Sequence, residues 1–496
     1  MTRQAVSILL TRDPDSTEVY LVKRNPELKF FGGYYAFPGG TLEVDDAELE
    51  IKNAARIHKD TSKYLVAAVR EVFEETGILL TCSERRISKE ILQDYRSRLL
   101  ADEITFSEIL KQEKHIIDAV DFHTICSITT PVFSPTRYET QFYWVKIPEG
   151  TTPDIWPGEL VHGDFFRAEE AVVLWKNGDM LIVPPVIFML HELVGSTVKA
   201  FTNRIHAIAE SYQKGKIHEV YFTPGVQLIA LQTRTLFPAT HTNTYLIGES
   251  QIYIVDPAPF DPTEQQRLWN YLDDLIQQGR EFKGILLTHH HPDHVGALEA
   301  CQKRYGLPVF AHRETAQRLP NIQIERYLRH GDKIDLGPTP DGRSGWVLKV
   351  YHTPGHAQDH LAFQENRYGA VIAGDMISTI STIVISPPEG HLTTYLKSLE
   401  FLKSITTGTL YPGHGPAVRD GQEVIQYYIE HRKAREEKLL KSLSKEPKSL
   451  SDLIPKVYDD VDPQYWPVAE HTLLSGLIKL IEEGRCHKVG DKYQTT

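Results

Sequence analysis

The sequence is poor in cysteine, since its 496 residues contain four thiols, at Cys82, Cys126, Cys301 and Cys486. They lie far apart and form no Cys-x-x-Cys pair, which argues against a disulfide framework and against a thiolate zinc knuckle. A run of about eighteen apolar residues is also missing, so no membrane span is expected. The first short apolar run ends at Arg12, too early for a signal sequence. These absences favour a cytoplasmic protein without a membrane partner.

A surplus of positive charge is missing as well. The formal net charge is −12 at pH 7, which argues against a broad electrostatic surface for nucleic acid or an anionic membrane. The length favours about three domains. Changes in residue pattern predict a first domain at 1–195, a connector at 196–214, a second domain at 215–430 and a third domain at 431–496.

The second domain alternates short strands with helical stretches, which predicts a layered α/β architecture. After the apolar strand GILLT, His289 and His291 point to one side, and Asp293 and His294 follow around a turn. Three later segments (HTPGH, VIAGD and YPGHG) each add one residue of a ligand type after a strand-like run, at His356, Asp375 and His414. A single histidine is more often structural, but this series predicts a metal centre.

The candidate ligands are five imidazoles and two carboxylates, with no thiolate. That set suits two zinc ions, and also iron or manganese. A pair of such ions polarises a carbonyl or phosphoryl oxygen and activates water as a nucleophile. We therefore predict a metal-dependent hydrolase with Asp293 and Asp375 as catalytic carboxylates.

These residues resemble the metallo-β-lactamase superfamily, with its motifs in order across 215–430. The resemblance implies an αββα sandwich. It also implies a first metal on His289, His291 and His356, and a second metal on Asp293, His294 and His414. Asp375 would bridge the two metals, and Asp256, in the segment IVDPA, would orient ligands without binding metal.

Within this superfamily, the complete ligand set resembles the glyoxalase II group, and the missing cysteine ligand separates it from antibiotic lactamases. HTPGHAQDH, YPGHGP and a tail like a winged helix resemble the lactamase-beta-like endoribonuclease group. The 62 residues from His294 to His356 leave no room for the large inserted domain of one RNA-processing branch. His290 is expected to point away from the metals, whereas Asp359 and His360 either orient ligands or lie at the surface.

A second cluster of carboxylates lies in the first domain. In REVFEETGI, Glu71, Glu74 and Glu75 share one face of a predicted helix, because residues three and four positions apart lie on the same side. Val72 and Phe73 fall on the opposite face, which predicts the core side. The carboxylates are candidate ligands for Mg²⁺ or Mn²⁺ with a diphosphate substrate, although an acidic helix face is more often only solvated. Glu74 is the predicted catalytic carboxylate of this cluster.

The run FPGG before this helix and Gly77 after it resemble the Nudix box. This resemblance implies a Nudix α/β/α sandwich. The stretch before the box is similar to the signature of coenzyme A diphosphatases, but it departs from that signature at Asn25 and Lys29.

The box is also interrupted. About sixteen extra residues, within 45–60, separate Gly40 from Arg70, as in a subgroup of acyl-CoA diphosphatases. The early glutamate of the box therefore has two candidate positions. Counting forward from Gly40 leads to Asp46, and counting back from Arg70 leads to Ser62. The interruption leaves the catalytic competence of the Nudix site open.

The third domain is predicted as three helices followed by a Gly-containing hairpin, the outline of a winged helix. Its first helix carries a basic run, for which a charged surface helix is the expected explanation and contact with nucleic acid is the alternative. The run comprises Arg432, Lys433, Arg435, Lys438, Lys441, Lys445 and Lys448. An apolar set should pack against the metal domain or across a dimer, namely Trp466, Leu473, Leu474, Leu477 and Leu480.

Hydrolysis of a thioester or ester in a small molecule such as an acyl-CoA is the favoured function, because both predicted hydrolase domains then address one metabolite class. The alternative is metal-dependent cleavage of single-stranded RNA, which the net negative charge weakens. A winged-helix regulator with hydrolase folds as ligand sensors fits the full ligand set least well. A mononuclear-iron thiol oxygenase and a homodimer both stay open.

Overall fold

The computed structural model describes residues 2–47, 49–56, 61–83, 87–131, 134 and 136–496. The chain divides into two compact units, Met1–Phe222 and Thr223–Thr496. No helix in the described part of the chain combines the length and the apolar composition that a bilayer crossing needs.

The first unit combines short sheets with helices. Its strands are β1 Thr2–Thr11, β2 Glu18–Arg24, β3 Tyr35–Ala36, β4 Ile51–Lys52, β5 Ile117–Asp118, β6 His123–Thr129, β7 Arg137–Lys146 and β8 Leu160–Arg167. Its helices are α1 Ser62–Thr76, α2 Lys89–Leu100, α3 Phe106–Glu113, α4 Ala168–Asn177, α5 Pro184–Leu193 and α6 Val198–Gln213. The strands pair in the orders β1-β7-β6, β3-β2-β8 and β4-β5.

Strand β1 is apolar on both of its faces. Ile8 and Leu10 belong to the core that contains Val69 and Phe73 of α1, whereas Leu9, between them, belongs to a second core formed with α4, α5 and α6. Successive side chains of a strand point to opposite faces, so β1 is buried between two helical layers. This is the α/β/α arrangement expected for the first unit.

Residues inserted between Gly40 and Arg70 form a short parallel strand pair with a later segment. Ile51 of β4 pairs in parallel with Ile117 of β5, and Asn53 donates to Asp118 at 2.7 Å. Positions 48 and 57–60 of the interrupting stretch lie outside the described residues. The insertion is therefore anchored to the segment after α3.

The predicted connector at 196–214 contains the whole of α6. Phe201 and Ile205 of this helix are buried in the core of the first unit. The segment is thus packed helix, and the division between the compact units falls after it, between Phe222 and Thr223.

The second unit contains two larger sheets. The first sheet has the order β15-β14-β13-β12-β11-β10-β9, and the second has the order β16-β17-β18-β19-β20. The strands of the first sheet are β9 Tyr221–Thr223, β10 Val226–Gln232, β11 His241–Gly248, β12 Gln251–Val255, β13 Glu281–Leu286, β14 Val309–His312 and β15 Ile324–Leu328. Those of the second are β16 Lys333–Gly337, β17 Trp346–His352, β18 Leu361–Glu365, β19 Val371–Ser378 and β20 Leu410–His414.

Helices flank these sheets and form the C-terminal part of the unit. They are α7 Pro262–Gln277, α8 Pro292–Val295, α9 Leu298–Tyr305, α10 Arg313–Arg318, α11 Leu392–Ile405, α12 Gly421–Ser442, α13 Leu450–Val457 and α14 Trp466–Glu482. Leu399 of α11 and Ile425 of α12 pack on Val371 and Ala373 of the second sheet. The chain ends in an antiparallel hairpin of β21 Cys486–Val489 and β22 Lys492–Thr495.

The two sheets meet through β11 and β20. Asn243 donates to the carbonyls of Pro412 and Gly415 at 2.9 and 2.8 Å, and the ring of Tyr245 meets that of Tyr411 edge-on at 5.5 Å. The loops after the neighbouring parallel strands β12 and β13 open at the same edge. Ligand sites gather where the carboxyl ends of such strands meet.

Candidate metal centre and its cleft

Asp256, directly after β12, anchors the loop that follows β13. Its carboxylate accepts from the Thr288 backbone N–H at 2.8 Å, from the Thr288 hydroxyl at 2.5 Å and from His294 Nδ1 at 2.9 Å. Asp256 itself adopts a left-handed backbone, with φ of 50°. Such strain is retained where the surroundings demand one conformation. The carboxylate therefore fixes both the loop and the orientation of the His294 ring.

The structure brings all seven predicted ligand residues together. In each of two sets the donor atoms lie within 4.8 Å of one another, one set from His289, His291 and His356, and the other from Asp293, His294 and His414. Asp375, on β19, lies between these sets. Its Oδ1 is 3.2 Å from His294 Nε2 and 3.3 Å from His414 Nε2, whereas its Oδ2 is 3.5 Å from His356 Nε2.

The imidazoles are held by their other nitrogens. His356 Nδ1 donates to the Val384 carbonyl and His414 Nδ1 to the His241 carbonyl, both at 2.9 Å. A neutral ring that carries its proton on Nδ1 presents a free lone pair at Nε2. These contacts therefore prepare Nε2 of both rings to bind a cation.

Several buried atoms in the centre form no hydrogen bond within the described part of the chain. His289 Nε2, His294 Nε2 and Asp375 Oδ1 are buried without a hydrogen bond among the described residues. Buried polar atoms are normally paired, and nitrogen with carboxylate oxygen is a donor set that suits zinc, iron or manganese. The residues fit a divalent metal centre.

Burial lowers the pKa of two of the imidazole ligands, His289 and His356. Burial, and then the neighbouring imidazoles, lowers the pKa of His289 well below its usual range and that of His356 to about 4. Both rings are therefore neutral at pH 7, as metal binding requires. Burial opposes ionisation of Asp375, but His414 and His294 hold the pKa of this carboxyl well below its usual range.

Gly413 leaves the space that the Asp375 carboxylate occupies. A Cβ atom at Gly413 would lie 2.0 Å from Asp375 Oδ1, much closer than any van der Waals contact. The glycine of YPGHG is thus required for close approach of β20 to β19. Substitution would push Asp375 away from the imidazoles.

His290 lies beside the centre in a polar network, and its donor atom lies within 4.8 Å of those of His291 and Glu389. Its Nδ1 is 3.0 Å from Asp359 Oδ1, and its Nε2 is 3.2 Å from Glu389 Oε1. Glu389 also approaches His291 Nε2 at 3.6 Å. Asp359 and His360 are buried, so of the two alternatives the surface one is wrong. Sequence reasoning missed Glu389, because no motif surrounds it and its partners lie about a hundred positions away.

The centre forms the base of a cavity of about 610 Å³. Its walls come from the loop 234–239, the segment 381–386 and helices α12 and α14. The rings of Phe237 and Tyr465 stack in parallel on one wall, with centroids 5.3 Å apart. Neither aromatic residue lies in a motif, which is why the sequence did not single them out.

The basic run of α12 is not simply a surface feature. Arg432 is 5% exposed and lines the cavity, and Arg435 pairs with Asp460 at 2.6 Å. The expectation of a charged surface helix is therefore wrong at Arg432. The physical reason is helical register, since Arg432 follows the buried Tyr428 and Ile429 by four and three positions.

The carboxylates of the first unit lie on α1 as expected, opposite the buried Val72 and Phe73. Arg70 Nη1 contacts Glu71 at 3.1 Å and Glu74 at 3.2 Å, and the Gly39 N–H donates to Glu75 at 3.0 Å. The trio is not among the described groups whose donor atoms all lie within 4.8 Å. The three carboxylates form a partly buried acidic cluster.

Burial also shapes this acidic cluster. It raises the pKa of Glu71 to about 8 against the opposing effect of Arg70, and it raises the pKa of Glu75 well above its usual range, with Glu71 adding to the rise. Carboxyls that are costly to ionise together are stabilised by a bound cation. The cluster offers the carboxylate oxygens that hard divalent cations prefer.

Asp46 and Ser62 are the two candidate positions for the early glutamate of the interrupted box, and of these Asp46 forms an ion pair with Arg70. Arg70 Nε donates to Asp46 Oδ1 at 3.0 Å and Arg70 Nη2 to Asp46 Oδ2 at 3.1 Å, and both side chains are buried. Ser62 is the first residue of α1, two turns before Arg70. The insertion therefore leaves the approach of the glycine run to the arginine intact.

Comparison with known families supports three domain types. The chain matches the models "Metallo-beta-lactamase superfamily" at residues 238–414, "NUDT19 Nudix domain" at 52–193 and "Beta-lactamase associated winged helix domain" at 449–494. A curated relative, the beta-lactamase-like protein 2 homolog of Drosophila melanogaster, is 30% identical over 49% of this chain and 83% of its own length. The chain belongs to the metallo-beta-lactamase superfamily.

Other known proteins are similar to about half of the chain. The atrochrysone carboxyl ACP thioesterase of Aspergillus fumigatus is 25% identical over 46% of this chain and 50% of its own length. A solved metallo-beta-lactamase family protein of Thermus thermophilus is 25% identical over 56% of this chain and all of its own, with a TM-score of 0.46.

Membership confirms several expectations. The multidomain α/β class, with Nudix, metallo-beta-lactamase and winged-helix domains, is confirmed. The chain is a metal-dependent hydrolase of this superfamily that also carries a Nudix domain. Both families imply divalent metals.

Proposed function

We propose that the metallo-beta-lactamase domain hydrolyses a thioester or ester of a small molecule, such as an acyl-CoA, at a dinuclear centre. One observation carries this proposal. The two oxygens of the buried Asp375 face different imidazoles, at the base of a cavity large enough for a small molecule. A carboxylate placed in this way suits two cations side by side.

The two predicted ligand sets would hold the two cations, zinc first, with iron or manganese as alternatives. Bound there, the cations would supply Lewis acidity for a carbonyl oxygen and lower the pKa of water to about 7. Asp293 and Asp375 contribute the negative charge that balances them. Asp256 keeps the proton of His294 on Nδ1, which leaves Nε2 for a cation.

The cavity wall fits an acyl substrate. Phe237, Tyr465 and Val468 form an apolar part of the lining, which removes water from the substrate and strengthens the interactions of its carbonyl. Asp293 also lines this cavity, so it faces the incoming substrate. Thioester cleavage is further supported by the name of the Aspergillus fumigatus relative, a thioesterase.

RNA cleavage is favoured less, because basic side chains of α12 already have acidic partners. Arg435 pairs with Asp460, and Lys438 lies within ion-pair distance of both Asp459 and Asp460. Paired charges contribute less to phosphate binding. Single-stranded RNA therefore enters the assay as the competing substrate.

For the Nudix domain we propose Mg²⁺- or Mn²⁺-dependent hydrolysis of a diphosphate, with Glu71, Glu74 and Glu75 as ligands and Glu74 required for catalysis. Support comes from the buried Asp46–Arg70 pair and from the Arg70 contact with the Thr41 carbonyl, which together hold the middle of α1 against the end of the glycine run. A coenzyme A diphosphate would then be a substrate of one domain and an acyl-CoA of the other.

The decisive experiment incubates the purified full-length protein with acetyl-CoA, or with labelled single-stranded RNA. Free thiol without RNA fragments is expected from the wild type, and no thiol from Asp375→Ala. Glu400→Gln, which changes an exposed carboxylate on α11, is the matched control and should keep full activity. RNA fragments that disappear in His294→Ala would overturn the thioester proposal in favour of the nuclease.

Metal content separates the dinuclear centre from a mononuclear one. In a Glu74→Gln background, which weakens the proposed Nudix site, zinc, iron and manganese should together total about two ions per chain, and fewer when Asp375→Ala is added. One ion with full thioesterase activity would contradict the bridged pair.

The Nudix site is tested by a separate assay. Release of a 3′,5′-nucleotide from coenzyme A should vanish in Glu74→Gln. Glu90→Gln, which changes an exposed residue of α2, is the control.

A further inference from the structure

Helix α12 places a charged side chain where it has no ionic partner. Its neighbours Lys433 and Arg435 lie within ion-pair distance of Glu400 and Asp460. Arg432 has no such partner among the described residues, although it is 5% exposed. A guanidinium stays charged in proteins, and an unpaired buried charge is costly.

The contacts of Arg432 leave one donor unused. Its Nη2 donates to the Ile383 carbonyl, and its guanidinium lies 5.6 Å from the centre of the Tyr395 ring. Its Nε is buried and has no acceptor among the described residues. The arginine is therefore anchored at its tip but incompletely satisfied.

The preceding residue presents a second unused donor. Arg435 Nη2 lies 3.3 Å from His431 Nε2, and because an arginine only donates, Nε2 must be the acceptor. Burial, with Arg432 and Arg435, lowers the pKa of His431 to about 4, so the ring is neutral and carries its proton on Nδ1. This Nδ1 is also buried without a partner among the described residues.

Both residues line the same cavity as the metal ligands. The two sites share one backbone segment, because the Ile383 carbonyl accepts from Arg432 and the next carbonyl, that of Val384, accepts from His356. Consecutive Cα atoms lie ~3.8 Å apart. Arg432 and the metal-ligand candidate His356 are therefore anchored to adjacent residues of one segment, and both line the same cavity.

We infer that Arg432 and His431 form a subsite for an anionic oxygen of the substrate, either a carboxylate or a phosphate. An oxyanion satisfies both unused donors and neutralises the buried guanidinium, and such charge-assisted hydrogen bonds are among the stronger ones. The preferred substrate is then an acid or phosphate derivative whose anionic group lies near the bond that is cleaved. The placement of the anionic group near the cleaved bond rests on the proposed function. The binding of an anion by Arg432 and His431 does not.

Anion binding is measured without turnover. Full-length protein, with metals bound and after their removal by a chelator, is titrated calorimetrically with inorganic phosphate and with succinate. At least one of these anions should bind saturably to the wild type and to Lys433→Met, an exposed control on the same helix. Affinity should fall at least about tenfold in Arg432→Met, since a charge-assisted bond contributes more than 1.4 kcal/mol.

Thermal stability excludes a purely structural role. Replacing an uncompensated buried charge by an apolar side chain is often neutral or stabilising, so Arg432→Met should keep or raise the melting temperature while losing the anion. If Arg432→Met does not fold, Arg432→Lys replaces it, since lysine keeps the charge but lacks Nε–H and should also bind the anion more weakly. Equal anion affinity in the wild type and the folded arginine variant, or no saturable binding at all, would overturn the subsite.

The subsite and the thioester proposal fail separately. Arg432-dependent anion binding without cleavage of any thioester would retain the subsite and refute the proposed reaction. In Arg432→Met, we expect kcat/KM to fall for the succinyl thioester of N-acetylcysteamine but not for the acetyl thioester. Wild-type kcat/KM for both thioesters would retain the reaction and refute the subsite.

Discussion

In an Asp256→Asn variant we expect the fold to persist while the metal centre weakens. Asp256 Oδ1 accepts from a backbone N–H, and an asparagine oxygen can take over that contact. The amide nitrogen must then replace Oδ2, which now accepts from both Thr288 and His294. An NH₂ group cannot accept either bond.

The consequence falls on the proton of His294. The Thr288 hydroxyl can rotate to become an acceptor, but His294 Nδ1 can face the amide only by giving up its proton. The proton then moves to Nε2, the nitrogen that lies 3.2 Å from Asp375, and blocks it as a ligand. Losing such an orienting partner typically costs about 10- to 100-fold in metal affinity, and the lost buried hydrogen bonds cost about 1–3 kcal/mol of unfolding free energy.

The assay is metal content after dialysis against buffers of fixed free zinc, combined with urea unfolding of the metal-free protein. Asp335→Asn, an exposed residue of β16, is the control and should match the wild type in both measurements. An Asp256→Asn protein that binds zinc with wild-type affinity would refute the claim that this carboxylate sets the tautomer of His294.

Three further predictions concern the first unit. Burial raises the pKa of Glu71 from 4.5 to about 8, so the folded state holds a proton that the unfolded state has lost. Without a cation the melting temperature should fall as pH rises from about 5 to 8, and both Mn²⁺ and Glu71→Gln should flatten this dependence; an unchanged slope in the variant would contradict it. Asp46→Ala should cost about 3 kcal/mol in urea unfolding because it leaves Arg70 buried with less charge compensation, whereas Asp45→Ala, at an exposed position, should cost almost nothing. Burial raises the pKa of Cys126 to about 12, so this thiol should resist iodoacetamide at pH 8 until urea is added; equal labelling of native and unfolded protein would argue against its burial.

The order of chemical features along the chain was predictable because each depends on local pattern. Ligands placed directly after apolar strands emerge at one edge of a sheet, and this rule indicates the run from His289 to His294. Helical periodicity likewise placed Glu71, Glu74 and Glu75 opposite Val72 and Phe73, as observed. Neither inference needed information about distant parts of the chain.

The prediction of a charged surface helix was wrong at Arg432, which is buried. Its membership of a basic run suggested solvent exposure, yet its register with Tyr428 and Ile429 contained the opposite signal. Charge outweighed periodicity in the sequence interpretation, and the packing of α12 decided otherwise. In this packing Arg432 lines the cavity beside the metal centre.

Residue type and local spacing were enough to predict the domain types, the candidate ligands and the chemistry that nitrogen and carboxylate donors support. Which groups meet across long distances in the chain depends on the tertiary structure. It paired Asp46 with Arg70, brought Glu389 to His290 and placed Arg432 beside the segment that anchors His356. Such contacts depend on how sheets and helices pack, and no local spacing encodes that packing.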